Sequence, residues 1–246
     1  MRKTARMKSI RIFPLFLILT LGIAVVLLAY LAFYAPGDRN VAGEWTGQLD
    51  MTKQVAARAY GWLQDIEAVS VTPGEVEEHM QELTIEVNLT LEGTGRSGGN
   101  FCCNVSPESY EICNQAAYEA LAAVFRGLVT ERLRMAGYGE GMDEEAVEAL
   151  ITETFGMSTV SYLMTCGPAL MPSLEDLQAE YDGSGTYEVS EGVLVRQFDM
   201  GGAVVTKSER YIRQEDCLVL TGEAGEDGLE GSARQYPVMY TRAQKH

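Results

Sequence analysis

Few residues in this chain are of the types that enzymes most often use for hydrolysis. One histidine, His79, lies within the charged stretch at residues 75–82, and the other, His246, is the last residue. A hydrolytic nucleophile needs a positioned base, and a histidine among charged neighbours is typical of a solvated side chain. The Gly-Ser-Gly run at residues 183–185 lacks the Gly-x-Ser-x-Gly spacing and predicts a turn. The chain therefore carries no recognisable catalytic constellation.

Sites for metals, phosphates and cofactors are not predicted either. No two cysteines have the Cys-x-x-Cys spacing of a zinc site. The glycine-rich run at residues 93–99 lacks the lysine of a phosphate loop and predicts a hairpin turn. Glu226, Asp227 and Glu230 lack the ligand spacing of a calcium loop. Although acidic residues are abundant, none stands out as a glycosidase pair, and we expect neither a metal, a cofactor nor an enzymatic activity.

The cysteines leave two arrangements open. There are five of them, Cys102, Cys103, Cys113, Cys166 and Cys217. Cys102 and Cys103 are adjacent in a predicted strand, so their side chains point to opposite faces and do not favour a mutual disulfide. One disulfide from either of them to Cys113 or Cys166 is the first interpretation. The second interpretation, which we favour, is that most of the five are buried free thiols.

One long apolar run indicates where the protein resides. Residues 12–35 carry no charge and are almost entirely apolar. Roughly 20 apolar residues suffice for a helix to cross the hydrocarbon core of a bilayer. The run follows five basic residues, namely Arg2, Lys3, Arg6, Lys8 and Arg11. We therefore expect a single-pass anchor in the cell membrane, with residues 1–11 in the cytoplasm and the chain beyond the 36–41 linker outside.

A cleaved signal peptide is the alternative interpretation of the same run. Signal peptides have apolar cores of roughly 7–15 residues, followed by a site with two small residues. Here the core is longer, and the aromatic Phe33 occupies the outer small position before Pro36. A retained anchor is therefore favoured over a cleaved one.

The external part of the chain is strongly acidic. The whole chain has 19 basic and 35 acidic residues and a formal net charge of −16. Removing the five basic residues before the anchor leaves 14 basic against 35 acidic residues, or −21, outside the membrane. Such a charge repels phosphate backbones, so nucleic acid is excluded as a partner, and it disfavours adhesion to anionic lipid.

The predicted elements come as strands, then helices, then strands. Residues 82–92 alternate between apolar and polar side chains, the period of a half-buried strand. Residues 106–181 have apolar side chains at helical spacing, with candidate caps such as Asp143 and Ser173. After this block the period of two returns. About eight antiparallel strands can close into a barrel, so we expect an α+β fold whose helical block is an insertion covering one mouth.

The sequence pattern is less regular between the first two strands. A first strand at residues 43–51 is followed by Thr52, a candidate cap for a helix that ends near Asp65. Pro73 and Gly74 then predict a break in the regular secondary structure.

Two sets of residues resemble the lipocalin family. Gly43-Glu44-Trp45 on the first strand matches the Gly-x-Trp that opens lipocalins, and the meander after the helical block is similar to small bacterial lipocalin-like surface domains. The strand, helix-block, strand order of residues 42–246 resembles uncharacterised membrane-attached proteins of anaerobic Gram-positive bacteria. The resemblance implies that Arg242 packs over the ring of Trp45 as a cation–π pair, within about 6 Å.

The inward face of such a barrel is the candidate binding site. Its residues either line a pocket for a small apolar ligand or fill a closed core, and we favour the closed core. The candidate lining residues are Trp45, Leu83, Ile85, Val87, Leu89, Tyr187, Val189 and Tyr240.

Three functions are compatible with this pattern. The favoured one is a membrane-anchored extracytoplasmic protein that binds a small apolar ligand or an envelope partner through the barrel and its helical cover. The second is a structural or assembly protein that interacts through the helical block. The third, an envelope hydrolase, lacks a base. An empty apolar cavity of several hundred Å³ favours the first, whereas a filled barrel with apolar side chains exposed on the helices favours the second.

Overall fold

A computed structural model describes residues 40–64, 71–94, 97–138, 142–199, 204–224 and 236–243. The predicted cytoplasmic segment, the predicted anchor at residues 12–35 and most of the linker lie outside these ranges. Within them, no helix combines the length and apolar character needed to cross a membrane.

The described ranges contain eight strands. Their bounds are Gly43–Asp50 (β1), Thr84–Gly93 (β2), Gly98–Val105 (β3), Gly183–Ser190 (β4), Val193–Asp199 (β5), Val204–Gln214 (β6), Cys217–Glu223 (β7) and Val238–Arg242 (β8). Each strand pairs antiparallel with the next, and β8 pairs with β1, so the sheet closes into a barrel. Closure leaves no free edge for pairing with another chain. The predicted α+β class and the eight-stranded antiparallel barrel are confirmed.

Six helices fall within the same ranges. Their bounds are Thr52–Gln64 (α1), Pro73–His79 (α2), Pro107–Met135 (α3), Glu144–Phe155 (α4), Thr159–Cys166 (α5) and Leu174–Tyr181 (α6). The last four lie between β3 and β4, where the helical block was predicted. Their starts follow local capping chemistry, because the side chains of Ser106, Asp143, Ser158 and Ser173 each accept a backbone N–H of the first turn.

The helix predicted from Thr52 to about Asp65 is confirmed as α1, but two details between β1 and β2 differ from the prediction. Pro73 and Gly74 do not interrupt the chain but begin α2, because Thr72 and Glu75 form a reciprocal capping box and proline suits the first helical turn. Thr52 does not cap α1 with its side chain. Its backbone N–H donates to the Asp50 carboxylate, and its hydroxyl accepts the N–H of Leu83.

The two mouths of the barrel differ in construction. At one mouth α1 and α2 connect β1 to β2, β3 runs into α3, and α6 returns the chain to β4. We call this end the helical mouth. At the opposite end, β2 ends beside the start of β3, close turns join β4 to β5 and β6 to β7, and the chain enters β1 after Asn40 and Val41. We call it the Trp45 mouth. The strand β1 runs from the Trp45 mouth to the helical mouth over 8 residues, roughly 26 Å along the strand.

The inward face of the barrel is close-packed. Gly47 shows this on β1, where it lies opposite Tyr240 of β8. A Cβ atom at Gly47 would lie 2.6 Å from Cε1 of the Tyr240 ring, so the position has no space for a side chain. The tyrosine ring thereby fills the volume that a larger residue on β1 would take.

Candidate functional site

All eight predicted lining residues are buried and belong to one continuous apolar cluster with the helices. Ile85, Val87 and Leu89 project inward from β2, while Tyr187 and Val189 project from β4. Leu83 precedes β2 but is buried as well. The barrel thus brings the predicted residues together as packed core. One cleft of about 490 Å³ lies on the outer wall beside Thr46, Gln48 and Met239, and another of about 440 Å³ lies at the Trp45 mouth beside Gly43 and Arg242.

Trp45 is held between two arginines at its own mouth of the barrel. The Arg242 guanidinium carbon lies 5.8 Å from the ring centroid of Trp45, and that of Arg213 lies 5.9 Å away. Both distances are within the cation–π range of about 6 Å. Arg242 is the strand partner of Trp45, whereas Arg213 reaches the ring from β6. The Arg242 contact has the geometry that the lipocalin resemblance implies; the Arg213 contact was not predicted.

The same mouth is covered by the segment that leads into β1. The indole N–H of Trp45 donates to the carbonyl oxygen of Val41 at 2.9 Å. The Arg213 side chain donates to the carbonyl oxygen of Asn40. The entering chain is therefore bonded to the barrel immediately before its first strand, and Val41 is itself buried.

A buried ion pair joins the neighbouring strands β5 and β6 inside the barrel. The Nε and Nη2 atoms of Arg196 donate to the same carboxylate oxygen of Glu209, at 2.9 and 2.5 Å. Arg196 is 0% exposed and Glu209 is 1% exposed. The Tyr236 hydroxyl donates to the other carboxylate oxygen at 3.0 Å. Charges buried this deeply are stable only when they are paired and hydrogen-bonded, as these are.

Two aromatic rings enclose the guanidinium of Arg196. Its central carbon lies 5.6 Å from the Phe101 centroid and 5.4 Å from the Phe198 centroid. The two rings meet edge to face, with centroids 4.8 Å apart. The Nη1 atom is buried and has no hydrogen-bond partner among the described residues. The interior is thus partly polar and tightly occupied, and it presents no open apolar channel at this point.

The sequence contains a signal for this buried pair. Leu194, Arg196 and Phe198 alternate along a predicted strand, so the same pattern that turns the two apolar residues inward turns the arginine inward. Glu209 likewise shares a face with Tyr211 on the next strand. A charge on the apolar face of each of two neighbouring strands predicts a buried pair.

The residues considered for catalysis and metal binding remain dispersed. His79 is exposed on α2, and its ring nitrogen contacts the carbonyl oxygen of Glu75. In the part of the chain with described coordinates, no group of three or more histidine, cysteine or acidic side chains is placed to hold a metal ion. The candidate calcium residues Glu226, Asp227 and Glu230 lie outside that part.

The disulfide interpretation is wrong, because none of the five cysteines, all within the described ranges, forms a disulfide in the structure. Cys103 and Cys113 are buried, whereas Cys102 and Cys166 are exposed, so burial holds for two rather than most of them. Burial, with a smaller contribution from the Asp50 charge, raises the pKa of Cys113 to about 11. This thiol is therefore protonated and unreactive at neutral pH.

Apolar exposure is concentrated on the helical block. Seven of the eleven large apolar side chains that are exposed in the described ranges lie between β3 and β4, and the other four lie on β6 and β8. The seven are Ile112, Met135, Tyr138, Leu150, Phe155, Met157 and Met164. Val147, Leu150, Ile151 and Phe155 are the apolar residues at helical spacing on α4. Only Val147 and Ile151 are buried, whereas Leu150 and Phe155 are exposed.

Glu148 joins three helices beneath this surface. Its carboxylate accepts the backbone N–H of Thr159, at the start of α5, at 3.0 Å and the Arg126 guanidinium of α3 at 3.1 Å. Burial alone would raise the pKa of Glu148, but hydrogen bonding by Thr159 and the charge and hydrogen bond of Arg126 outweigh it and lower the pKa. The carboxylate thus stays ionised and fixes α4 and α5 against α3.

Comparison with known proteins found no matching family model, no similar curated protein and no similar solved structure. The closed eight-stranded antiparallel barrel is compatible with a lipocalin-like fold.

Proposed function

We propose that this chain is a membrane-held interaction protein that binds an envelope protein through its helical block, with a lipocalin-like barrel as its scaffold. The observation that carries the proposal is the contrast between the two parts. The predicted pocket residues are packed core, whereas Phe155 is 49% exposed and Met135 is 73% exposed on the helices. Exposed apolar clusters on an otherwise charged surface are typical of protein-binding sites.

The orientation of the barrel supports this assignment. In the proposal, residues 12–35 anchor the chain, and the 36–41 linker reaches at most about 20 Å from the membrane. The linker joins the Trp45 mouth, where Asn40 and Val41 are bonded to the barrel. The helical mouth then faces away from the bilayer. A partner in the envelope can reach the helices without passing the membrane surface.

The alternative of a small apolar ligand in the barrel receives less support. A ligand would have to displace side chains such as Leu89 and Tyr240, which are almost completely buried. It would also have to enter without separating the Arg196–Glu209 pair, because an unpaired charge in the interior is costly.

Site-specific photo-crosslinking in living cells tests the proposed function. A photoreactive phenylalanine analogue is placed singly at Phe155 or Met164 on the helices, and at Ile212 or Met239 on the barrel as matched exposed controls. We expect the two helical positions to crosslink the same protein, identified by mass spectrometry, and the barrel positions not to do so. Equal crosslinking from Ile212 or Met239, or no crosslinking from either helical position, would refute the proposal.

The membrane location has a separate test. We expect the full-length chain to resist alkaline extraction from membranes and its barrel to be digested by protease added outside spheroplasts. Release of the chain by alkali, or protection of the barrel until lysis, contradicts the proposed anchor and topology.

A further inference from the structure

The α4–α5 segment, residues 142–166, is acidic in its first half, at residues 143–153. It contains no lysine, arginine or histidine, and its five acidic residues give a formal charge of −5. They are Asp143, Glu144, Glu145, Glu148 and Glu153. Only Glu148 is turned inward, toward Arg126. Glu144, Glu145 and Glu153 are exposed and have no ion-pair partner among the described residues. The segment therefore presents uncompensated negative charge to the solvent.

Apolar side chains are exposed on the same segment. Leu150, Phe155, Met157 and Met164 account for four of the eleven large apolar side chains exposed in the described ranges. The Phe155 and Tyr162 rings lie against each other with centroids 4.6 Å apart, so an aromatic pair joins α4 to α5 at the surface. Methionine and aromatic side chains adapt to different partners and supply most of the area in peptide-binding surfaces.

Charge decides which kind of partner fits this surface. An anionic membrane or a nucleic acid is repelled by five uncompensated or partly compensated carboxylates. A second copy of this chain would bring −5 against −5, which opposes self-association. A polypeptide that carries both basic and apolar side chains satisfies the exposed carboxylates and covers the apolar residues together. An amphipathic helix presents these two kinds of side chain side by side.

We infer that the α4–α5 segment binds a basic amphipathic helix of another protein. The inference rests on the proposed function and adds the chemistry of the partner. Apolar contacts with Phe155 and Met157 supply most of the affinity, because exposed charge pairs contribute little individually. The carboxylates of Glu144, Glu145 and Glu153 accelerate association and exclude acidic helices.

A titration with synthetic helices tests the inference. Full-length protein in a neutral detergent is titrated with a labelled peptide of about 18 residues, roughly five helical turns, made of leucine and lysine. The control peptide carries glutamate in place of lysine, and fluorescence anisotropy reports binding. We expect the lysine peptide to bind at least about tenfold more tightly than the glutamate peptide. The preference should shrink in about 0.5 M salt, which screens exposed charges.

Variants assign the binding to the segment. The double variant Phe155→Ser, Met157→Ser should bind the lysine peptide about tenfold more weakly at any salt concentration. Replacement of Glu144, Glu145 and Glu153 by glutamine should weaken binding of the lysine peptide about tenfold, at low salt only. Ile212→Ser with Met239→Ser, at exposed positions on the barrel, should leave binding unchanged. Circular dichroism and thermal unfolding verify that each variant remains folded, since all these side chains are exposed.

The inference is overturned if the glutamate peptide binds equally well, or if the helical variants bind like the barrel control. Its failure is distinguishable from failure of the proposed function. Crosslinks from Phe155 and Met164 without binding of the basic peptide would leave the interaction surface intact and refute only the partner's chemistry.

Discussion

Arg196 and Glu209 form an ion pair in the interior of the barrel, on neighbouring strands and away from solvent. Both hydrogen bonds from the guanidinium go to a single carboxylate oxygen, and Tyr236 donates to the other. Phe101 and Phe198 pack around the cation. The pair links β5 to β6 through side chains, in addition to the backbone ladder. Removal of one partner would leave an uncompensated charge in an apolar environment.

Arg196→Met should lower the free energy of unfolding by about 3–5 kcal/mol, because it leaves the Glu209 carboxylate buried without its cation. Adding Glu209→Leu should recover most of this loss, since an apolar pair of similar size has no desolvation penalty. Urea unfolding monitored by circular dichroism measures both. A neutral effect of Arg196→Met, or a double variant as unstable as the single one, would contradict the buried pair.

The two arginines beside Trp45 should each stabilise the barrel modestly. Arg213→Met and Arg242→Met are expected to lower the free energy of unfolding by about 0.5–2 kcal/mol each, through loss of the cation–π contact. A Trp62→Phe background makes Trp45 the only tryptophan, so its fluorescence reports the Trp45 mouth directly. Arg210→Met, at an exposed position on the same strand as Arg213, is the control and should change stability by less than about 0.5 kcal/mol. Loss of stability in the control alone would contradict this account.

Glu148 should make the attachment of α4 and α5 sensitive to acid. Because the folded state lowers the pKa of Glu148, its stabilisation is present above the ordinary carboxyl pKa of 4.5 and is lost as the pH falls through the lowered value. At neutral pH, Glu148→Gln should cost about 1 kcal/mol of stability through weaker hydrogen bonds to Arg126 and Thr159. Wild-type protein and variant should converge at acidic pH. Hydrogen exchange of α5 amides across this pH range measures the effect.

The control for this prediction is Glu145→Gln, which removes an exposed carboxylate from the same helix. Protection of α5 should be unchanged in this variant at every pH. A difference between wild-type protein and Glu148→Gln that persists at low pH would show that the loss comes from packing rather than ionisation.

Four of the five thiols should separate into a reactive and a protected pair. Cys102 and Cys166 are exposed and should be alkylated rapidly in the native protein. Cys103 is buried, and Cys113 is buried with a raised pKa of about 11, so both should react only after unfolding. Pulse alkylation followed by peptide mass spectrometry gives the order. Native modification of Cys113 as fast as Cys166 would show that the helical block opens in solution.

Several elements could be predicted because their information is local. The alternation along β2 specifies a strand with one buried face, since side chains repeat every two residues. The starts of α3, α4 and α6 follow from Ser106, Asp143 and Ser173, whose side chains cap the helix that immediately follows each of them. The same local reasoning applied to Thr72 and Glu75 would have identified α2.

Contacts between residues that lie far apart in the sequence were harder to predict. Arg213 lies 168 positions from Trp45 in the chain and meets it only because β6 and β1 face each other across a mouth of the closed barrel. The exposure of Phe155 was equally hidden, because its helical spacing marks one side of α4 but does not reveal whether another helix covers that side.

The amino-acid sequence by itself determined the class of most segments, the strand–helix–strand order, the acidic charge and the apolar run at residues 12–35, because period, composition and capping act over a few neighbouring residues. The tertiary structure alone decided that Arg213 of β6 reaches the ring of Trp45, and that α4 and α5 retain exposed apolar side chains. These depend on which surfaces meet after folding. Local patterns do not encode that information, because burial is a property of the whole packed molecule.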